Sequence, residues 1–450
     1  MARLPLHWRG RNGERRVSHE AALRAATPED VARLMGRIHA HGFSAFVVGG
    51  AVRDVLAGRA PTDWDLATNA TPDQLRAAFP DAEYENRFGT VGIPTGDAVR
   101  EVTTFRADGP SSDARRPDSV AFIGSIEGDL ARRDFTVNAM AFGLAGDEGG
   151  DPVINGAFVD PHSGRDDLDG RVLRAVGNAA ERFKEDALRT LRAARFASRF
   201  ELSIEPVTAA AIRDAAGLTS ALSGERIGAE IEGILASEHP EIGLAALYDL
   251  GVMRVIAPAL NERWIEQLPG RVAAIGAPNG PDAPDPLGRF AELLAVISDD
   301  EAAVEIITKW RRPRATISAI AHLRAADRAA AEAERGAIDH VEYRVHVAAL
   351  TGDPRDAARQ LRRRLAAGRA APGAGTLLAA CERADAQKAP ALPAELAVDG
   401  AEIARRIGAT PGAWIKGVQA SLLISVGRGE IQNQPTALLA AAERIHASND

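Results

Sequence analysis

Residues 43–66 read FSAFVVGGAVRDVLAGRAPTDWDL. The apolar run Phe46-Val47-Val48 reads as a short strand. Gly49-Gly50 then turn the chain into a helical pattern that starts at Ala51 and carries Arg53 and Asp54 in its first turn. Gly58 to Pro61 form a second turn, into an extended piece holding Asp63-Trp64-Asp65. Alternate side chains of an extended chain share a face, so Asp63 and Asp65 present two carboxylates on one side with Trp64 on the other. Two close carboxylates repel, and a divalent cation removes the repulsion. Mg²⁺ suits such a pair, completing its octahedron with waters and substrate phosphates. The Gly-Gly turn lets backbone N–H groups approach a bulky anion, and the start of the following helix favours negative charge. Taken singly, each feature is an ordinary turn or solvated strand end. In this order, within one βαβ-sized stretch, they describe a site for a nucleoside triphosphate with metal.

The chain has 450 residues, room for two to four domains. Hydrophobic residues make up 46% and aromatic residues only 5%, so the core rests on Ala, Leu, Val and Ile, which favours close-packed helices. The one cysteine, Cys381, excludes an intrachain disulfide or a cysteine-built zinc site and suits a reducing cytoplasm. No uninterrupted apolar stretch is long enough to span a membrane. Residues 1–26 are arginine-rich without an apolar centre and read as a poorly ordered extension, not a secretory signal. A net charge of −8 argues against a nucleic-acid partner only as a whole-molecule figure. Residues 171–200 hold eight Arg and Lys against three acids, and Arg355, Arg359, Arg362, Arg363, Arg364 and Arg369 form a second basic cluster. Either cluster is a solvated helix face by default and a phosphate-binding surface as the alternative.

Along the chain, Pro28 to about His41 is helical. Thr71-Pro72 supplies an N-cap and a proline at the first helical position for a helix ending near Pro80. Thr90–Ile93 and Val99–Phe105 read as strands. Pairing of the second with the Asp63–Asp65 piece would make Glu101 a third carboxylate; an ordinary edge-strand glutamate is the simpler reading. Gly109 to Asp118 is a polar loop whose Arg115-Arg116 either reach a phosphate or keep the loop soluble. Leu130 to Ala139 opens a helix-like run, with Arg133 and Asn138 on no simple helical face. Asp151 to Pro161 is hairpin-like. After Asp160 strand signals nearly vanish, which marks a boundary.

The helix from about Glu181 sets Glu185 and Asp186 beside Arg189, with Arg192 and Arg195 extending the face. Surface ion pairs, each worth about 0.2–0.5 kcal/mol, account for this pattern. The sharper reading is that a carboxylate and a guanidinium together match the hydrogen-bonding edge of a base, selecting a nucleotide without a template. Pro269 to Pro286 reads as a linker. Helical patterns run from Leu287 through the second arginine cluster, break at Ala370 to Gly375, and resume after an Asp399-Gly400 turn.

In order and spacing, the strings VVGGAVRD, TDWDLAT, REVTTFR, ARRDFTVNAMAF, RFKEDALRTLRAARF, GERIGAEI and ELAVDGAEIARRIGATPGAWIKGVQ resemble the class II tRNA nucleotidyltransferases. These are the CCA-adding enzymes and the related bacterial poly(A) polymerases. The resemblance runs from about Pro28 to the C-terminus and is weakest at about 260–380. It implies an α+β fold: a polymerase-β-like nucleotidyltransferase head with a small mixed sheet at 27–164, followed by all-α parts. These are a nucleotide-selecting neck at 165–260, a body at 261–385 and a tRNA-binding tail at 386–450. It implies that Asp63 and Asp65 bind metal and, with Glu101, form the catalytic acids. Gly49, Gly50 and Arg53 are implied on the nucleotide's triphosphate side, Arg133 as a further nucleotide contact, and Asn138 near the ribose. Asp186 and Arg189 would read the base of CTP or ATP, supported by Glu185, with Arg192 and Arg195 continuing that face. Two Mg²⁺ ions are implied, one lowering the pKa of the tRNA 3′-hydroxyl and the other stabilising the pyrophosphate leaving group. The remainder is positioning and charge neutralisation. tRNA would lie along the helical parts, recognised by shape and backbone.

Within that family, relatives adding only CC carry a shortened loop after the REVTTFR-like strand. Here Ala107 to Asp118 is full length, which favours addition of A. A poly(A) polymerase would carry a more basic C-terminus. The sequence has no His-Asp dipeptide, so the metal phosphohydrolase domain of some relatives is not expected. The rival readings are an A-adding or poly(A)-forming enzyme, an RNA-binding protein that has lost catalysis, and a small-molecule nucleotidyltransferase. The long helical half speaks against the last.

Overall fold

The computed structural model describes residues 19–86, 89–96, 98–109, 120–144, 157–261, 286–366 and 370–449. The described chain opens with helices α1 (His19–Ala26) and α2 (Glu29–Ala40). Helix α1 corrects the reading of a loose extension for residues 19–26; residues 1–18 lie outside the described residues. Its Leu23 is 1% exposed and packs into the same core as Val31, Leu34 and Met35, and that burial orders the segment.

Strand β1 (Ala45–Val48) is buried along its whole length because it is central and apolar on both faces. Ala45 and Val47 join the core of Leu34, Ile38 and Trp64, whereas Phe46 and Val48 join a second cluster with Phe105, Leu130 and Ala141. After it come α3 (Gly50–Leu56), β2 (Leu66–Thr68), α4 (Pro72–Ala78), β3 (Glu83–Asn86), β4 (Thr90–Thr95) and β5 (Ala98–Thr104). Thr71 starts α4 with a capping box, its side chain accepting from the Gln74 N–H while Gln74 accepts from the Thr71 N–H. Strands β6 (Arg106–Asp108) and β7 (Val120–Phe122) pair as a separate antiparallel ribbon. Helix α5 (Ile126–Ala131), β8 (Ala141–Leu144) and β9 (Ala157–Val159) complete the head. The main sheet has the order β3-β4-β5-β2-β1-β8-β9. β2 and β5 run parallel and the other neighbours antiparallel, so the sheet is mixed. Arg115, Arg116 and most of the 109–118 loop lie outside the described residues, as do 151–156 and the 269–285 part of the linker.

The chain then turns helical through α6 (Gly164–Asp169), α7 (Ala179–Glu185), α8 (Leu188–Phe200) and α9 (Pro206–Ala215). The neck is not purely helical. Val172–Leu173 pairs in parallel with Ser203–Ile204, strands of two residues that are too short to leave a period in the sequence. By its internal contacts the chain divides into two units, Met1–Ser223 with Ile242–Ile256, and Gly224–Glu241 with Ala257–Asp450. The division runs through the expected 165–260 neck.

The second unit is built of helices, from Gly224–Leu235 to Pro435–Asn449. Within it Asp399 and Gly400 start a helix instead of forming a turn, Asp399 and Glu402 making a capping box. The basic cluster near 360 is neutralised locally. Arg355 and Arg359 meet Asp353 at 3.0 and 3.1 Å, Arg362 meets Glu382 at 2.7 Å, and Arg364 meets Glu334 at 2.8 Å. Of the two readings of that cluster, paired charges on helix faces is the one that holds for these four arginines.

Candidate active site

Gly49 leaves β1 at φ +65°, a conformation strained for any L side chain. Space also demands glycine there, since a Cβ would run into the guanidinium of Arg133. The Gly49 N–H donates to the Met140 carbonyl at 2.9 Å, and the Val48 N–H donates to the Asp65 carbonyl at 3.1 Å. The turn is thus tied to both segments that carry charged site residues.

Asp63 and Asp65 lie in the extended piece entering β2, and both are exposed. Trp64 between them is 8% exposed and packs with Val47 and Leu66, as alternation requires. The protein around Asp65 partly desolvates it, which pushes its carboxyl above the ordinary carboxylate value; Arg133 pulls it down and Asp63 pushes it up. In the parallel β2–β5 register Leu66 faces Val102, which brings Glu101 alongside Asp65. Register sets backbones side by side without aiming side chains at one point. Among the described residues no three His, Cys, Asp or Glu side chains gather into a cluster that could hold a metal.

Arg133 is aimed by Asp129, a residue not singled out from the sequence. The Asp129 carboxylate is 1% exposed; it accepts from Arg132 at 2.8 Å and from Arg133 at 3.4 Å. Burial lowers the Arg133 pKa and Asp129 raises it. The Arg133 Nε is buried with no hydrogen-bond partner among the described residues.

Arg53 lies beside the second glycine of the turn. It is 4% exposed, beneath the turn, and does not reach the surface of the site. Its Nε donates to Asp54 at 2.8 Å and its Nη1 donates to the Asn138 side chain, while the rings of Phe200 and Phe196 cover it at 4.4 and 5.1 Å. One donor from each of its three nitrogens goes to Asp54 or Asn138, so it braces the turn from behind. Asn138 sits in a 3₁₀ turn (Thr136–Asn138) and donates in turn to Asp134 at 2.9 Å.

The helix expected from Glu181 breaks at Asp186, whose backbone is extended at φ −147°. Its carboxylate accepts from the Leu188 N–H at 3.0 Å, a local bond that competes with helix continuation. Glu185 nevertheless holds Arg189 at 2.7 Å and Arg182 at 2.9 Å. Arg182 and Arg189 also donate to the Arg132 carbonyl, at 3.3 and 3.2 Å. One turn further along α8, Arg192 meets Asp134 at 2.7 Å, and Arg195 lies over the ring of Phe196 at 4.9 Å. Burial alone would raise the Asp134 carboxyl, but Arg192, Asn138 and Arg189 outweigh it and hold it at about 2. The residues 132–138 and the start of α8 are therefore one hydrogen-bonded assembly. It contains Arg53, Arg133, Asn138, Glu185, Arg189 and Arg192, with Gly49 against the Arg133 guanidinium and Gly50 beside Arg53, whereas Asp186 and Arg195 make local contacts, to the Leu188 N–H and the Phe196 ring. Sequence reading missed Asp54, Asp129 and Asp134. Asp129 carried a local signal, lying three and four residues before Arg132 and Arg133; Asp134 has Asn138 four residues on, but its ion-pair partner Arg192 is 58 residues away.

A mixed sheet that presents a glycine turn, a D-x-D carboxylate pair and an arginine-rich helix defines a template-free nucleotidyltransferase head. Comparison with known proteins agrees. Residues 45–174 match the family described as "Poly A polymerase head domain", and residues 201–263 match "Probable RNA and SrmB-binding site of polymerase A". The CCA-adding enzyme of Geobacillus thermodenitrificans (strain NG80-2) is 34% identical over 431 residues, covering 92% of this chain and 94% of that protein. The Bacillus stearothermophilus CCA-adding enzyme in complex with CTP superposes with a TM-score of 0.71 at 27% identity, covering 94% of this chain and 98% of the other. The Thermotoga maritima CCA-adding enzyme complexed with tRNA shares the fold, with a TM-score of 0.63 at 21% identity over 96% of this chain and 98% of the other. The chain belongs to the CCA-adding enzyme family. Among the described residues, no helix is long and apolar enough to cross a membrane.

Proposed function

We propose that this chain adds C, C and A in turn to the 3′ end of tRNA in the cytoplasm, using CTP and ATP and no nucleic-acid template. The observation that carries the reading is the Asp134–Arg192 contact at 2.7 Å, which fastens the arginine face of α8 to the segment bearing Arg133 and Asn138. A nucleotide lying between the D-x-D pair and α8 would have its phosphates near Arg133 and its base edge before Asp186 and Arg189.

The donor set fits Mg²⁺. Asp63 and Asp65 are hard oxygen donors on one exposed face, and each one's charge works against the other's until a cation lies between them. When bound, Mg²⁺ polarises the triphosphate and makes the 3′-hydroxyl a better nucleophile. The chain's own part is positioning. Arg133, aimed by Asp129, offsets phosphate charge beside the glycine turn. Glu185 holds Arg189 at 2.7 Å, and a remaining Arg189 donor together with an Asp186 acceptor would match one base edge. Recognition by fixed protein groups leaves no need for a complementary strand.

The test supplies tRNA ending before CCA, after C and after CC, with CTP, ATP and Mg²⁺, followed by 3′-end sequencing. Ordered C, C, A addition that stops supports the reading. Addition of A to the CC end alone makes it an A-adding enzyme, long A tails make it a poly(A) polymerase, and no addition leaves an RNA-binding protein.

A further inference from the structure

The Asp134–Arg192 contact belongs to a larger closed circuit. Arg192 Nε donates to Asp134 at 2.8 Å, and Asp134 accepts from the Asn138 amide at 2.9 Å. The Asn138 oxygen accepts from Arg53, and Arg53 Nε donates to Asp54 at 2.8 Å. The other Asp54 oxygen accepts from Arg199 at 2.9 Å. Arg192 and Arg199 lie two turns apart on α8, so the circuit leaves that helix, crosses the head behind the glycine turn and returns to the helix. Phe196 and Phe200 fill its centre, under Arg53 at 5.1 and 4.4 Å. Asp54 and Asp134 are 3% and 8% exposed, so the acceptor side of each bond is shielded from bulk water.

We propose that Arg199 is a positioning residue for nucleotide choice. It meets Asp54 and lies over the ring of Phe200 at 5.2 Å. Arg189 and Arg192 tie the start of α8 to residues 132–134, and the Arg199–Asp54 contact ties the far end of the helix to α3, so together they set the helix angle. The angle of α8 decides where Arg189 and Asp186 meet the base. This rests on the proposed CCA-adding activity and extends it to a residue outside the nucleotide-contacting set.

The experiment compares wild type, Arg199→Gln, Arg199→Lys and Arg171→Gln on tRNA lacking CCA, measuring kcat and KM for CTP and ATP separately and sequencing the ends. Arg171 pairs with Glu201 at the C-terminal end of the same helix, outside the circuit, and serves as the control. In Arg199→Gln the CTP-over-ATP ratio of kcat/KM at the first addition falls roughly tenfold, as displacement of an aligned reading group implies, and A appears at C positions. Arg199→Lys recovers part of the ratio, and Arg171→Gln keeps it. A merely structural arginine would lower both nucleotides in proportion and leave the ratio unchanged, which overturns the proposal. Wild type that adds neither C nor A overturns the activity itself and the proposal with it, so the two failures are distinguishable.

Discussion

The carboxylate of Asp134 and the guanidinium of Arg192 meet at 2.7 Å, joining a buried turn of the head to the exposed side of a neck helix. The Asp134 carboxyl is held at about 2 against an ordinary value of 3.8. A depressed carboxyl adds stability that is complete above the unfolded value and is lost as pH falls through the folded one. We expect a contribution on the order of 2 kcal/mol, present above about pH 4 and gone by about pH 2. Urea midpoints for wild type and Asp134→Asn should stay a fixed distance apart at higher pH and converge across that window. A gap that is flat throughout contradicts the assignment.

Asp63 is exposed and, among the described residues, accepts only a long 3.4 Å contact from the neighbouring Thr62 hydroxyl, so Asp63→Ala should fold normally. Incorporation should fall by roughly 10²–10³-fold or more, the scale for removing a group that stabilises transition-state charge. Circular dichroism checks the fold and single-turnover assays the rate. Substantial turnover in the folded variant removes the metal assignment.

Asp65 gives the opposite pH sign from Asp134. Its carboxyl lies above the ordinary value, so its ionisation costs stability as pH rises through the folded pKa. A divalent cation should relieve that cost, and Mg²⁺ should raise the melting midpoint at pH 7 more in wild type than in Asp65→Asn. In the metal-free protein, carboxyl NMR should show the Asp65 midpoint moving down in Asp63→Asn. An unmoved midpoint would show that the two carboxylates do not interact.

Gly49→Ala combines a left-handed backbone, costing about 1–2 kcal/mol, with a collision at Arg133. The expected result is modest destabilisation with a raised KM for both nucleotides, since the displaced group serves the phosphates and not the base. A KM change confined to one nucleotide would place Arg133 elsewhere.

Leu23→Ala tests whether the N-terminal helix belongs to the head's core. Loss of a side chain 1% exposed should cost about 2–5 kcal/mol in denaturant unfolding. A cost near zero would return residues 19–26 to a loose extension.

What could be read ahead of the structure was local. The unbroken apolar run of β1, the alternation of Asp63-Trp64-Asp65 and the Thr71 cap each leave a short-range pattern, and each stands as expected. What could not be read depends on partners far away. Arg53 bonds to Asn138, 85 residues on. Arg199 gains its meaning from Asp54, 145 residues earlier. Arg362 and Arg364 look basic until Glu382 and Glu334 arrive from other helices. The break at Asp186 was hidden because Glu185 and Arg189 keep helical spacing across it, and their ion pair survives the break.

The central claim is that protein side chains at Asp186 and Arg189 choose the base. The most direct measurement is calorimetric binding of CTP, ATP, GTP and UTP to the protein with Mg²⁺ and no RNA, in wild type and Asp186→Ala. The account predicts that CTP and ATP bind wild type at least about tenfold more tightly than GTP and UTP, about 1.4 kcal/mol, and that the variant loses this preference. Four equal affinities in wild type, or a preference unchanged in the variant, would contradict it.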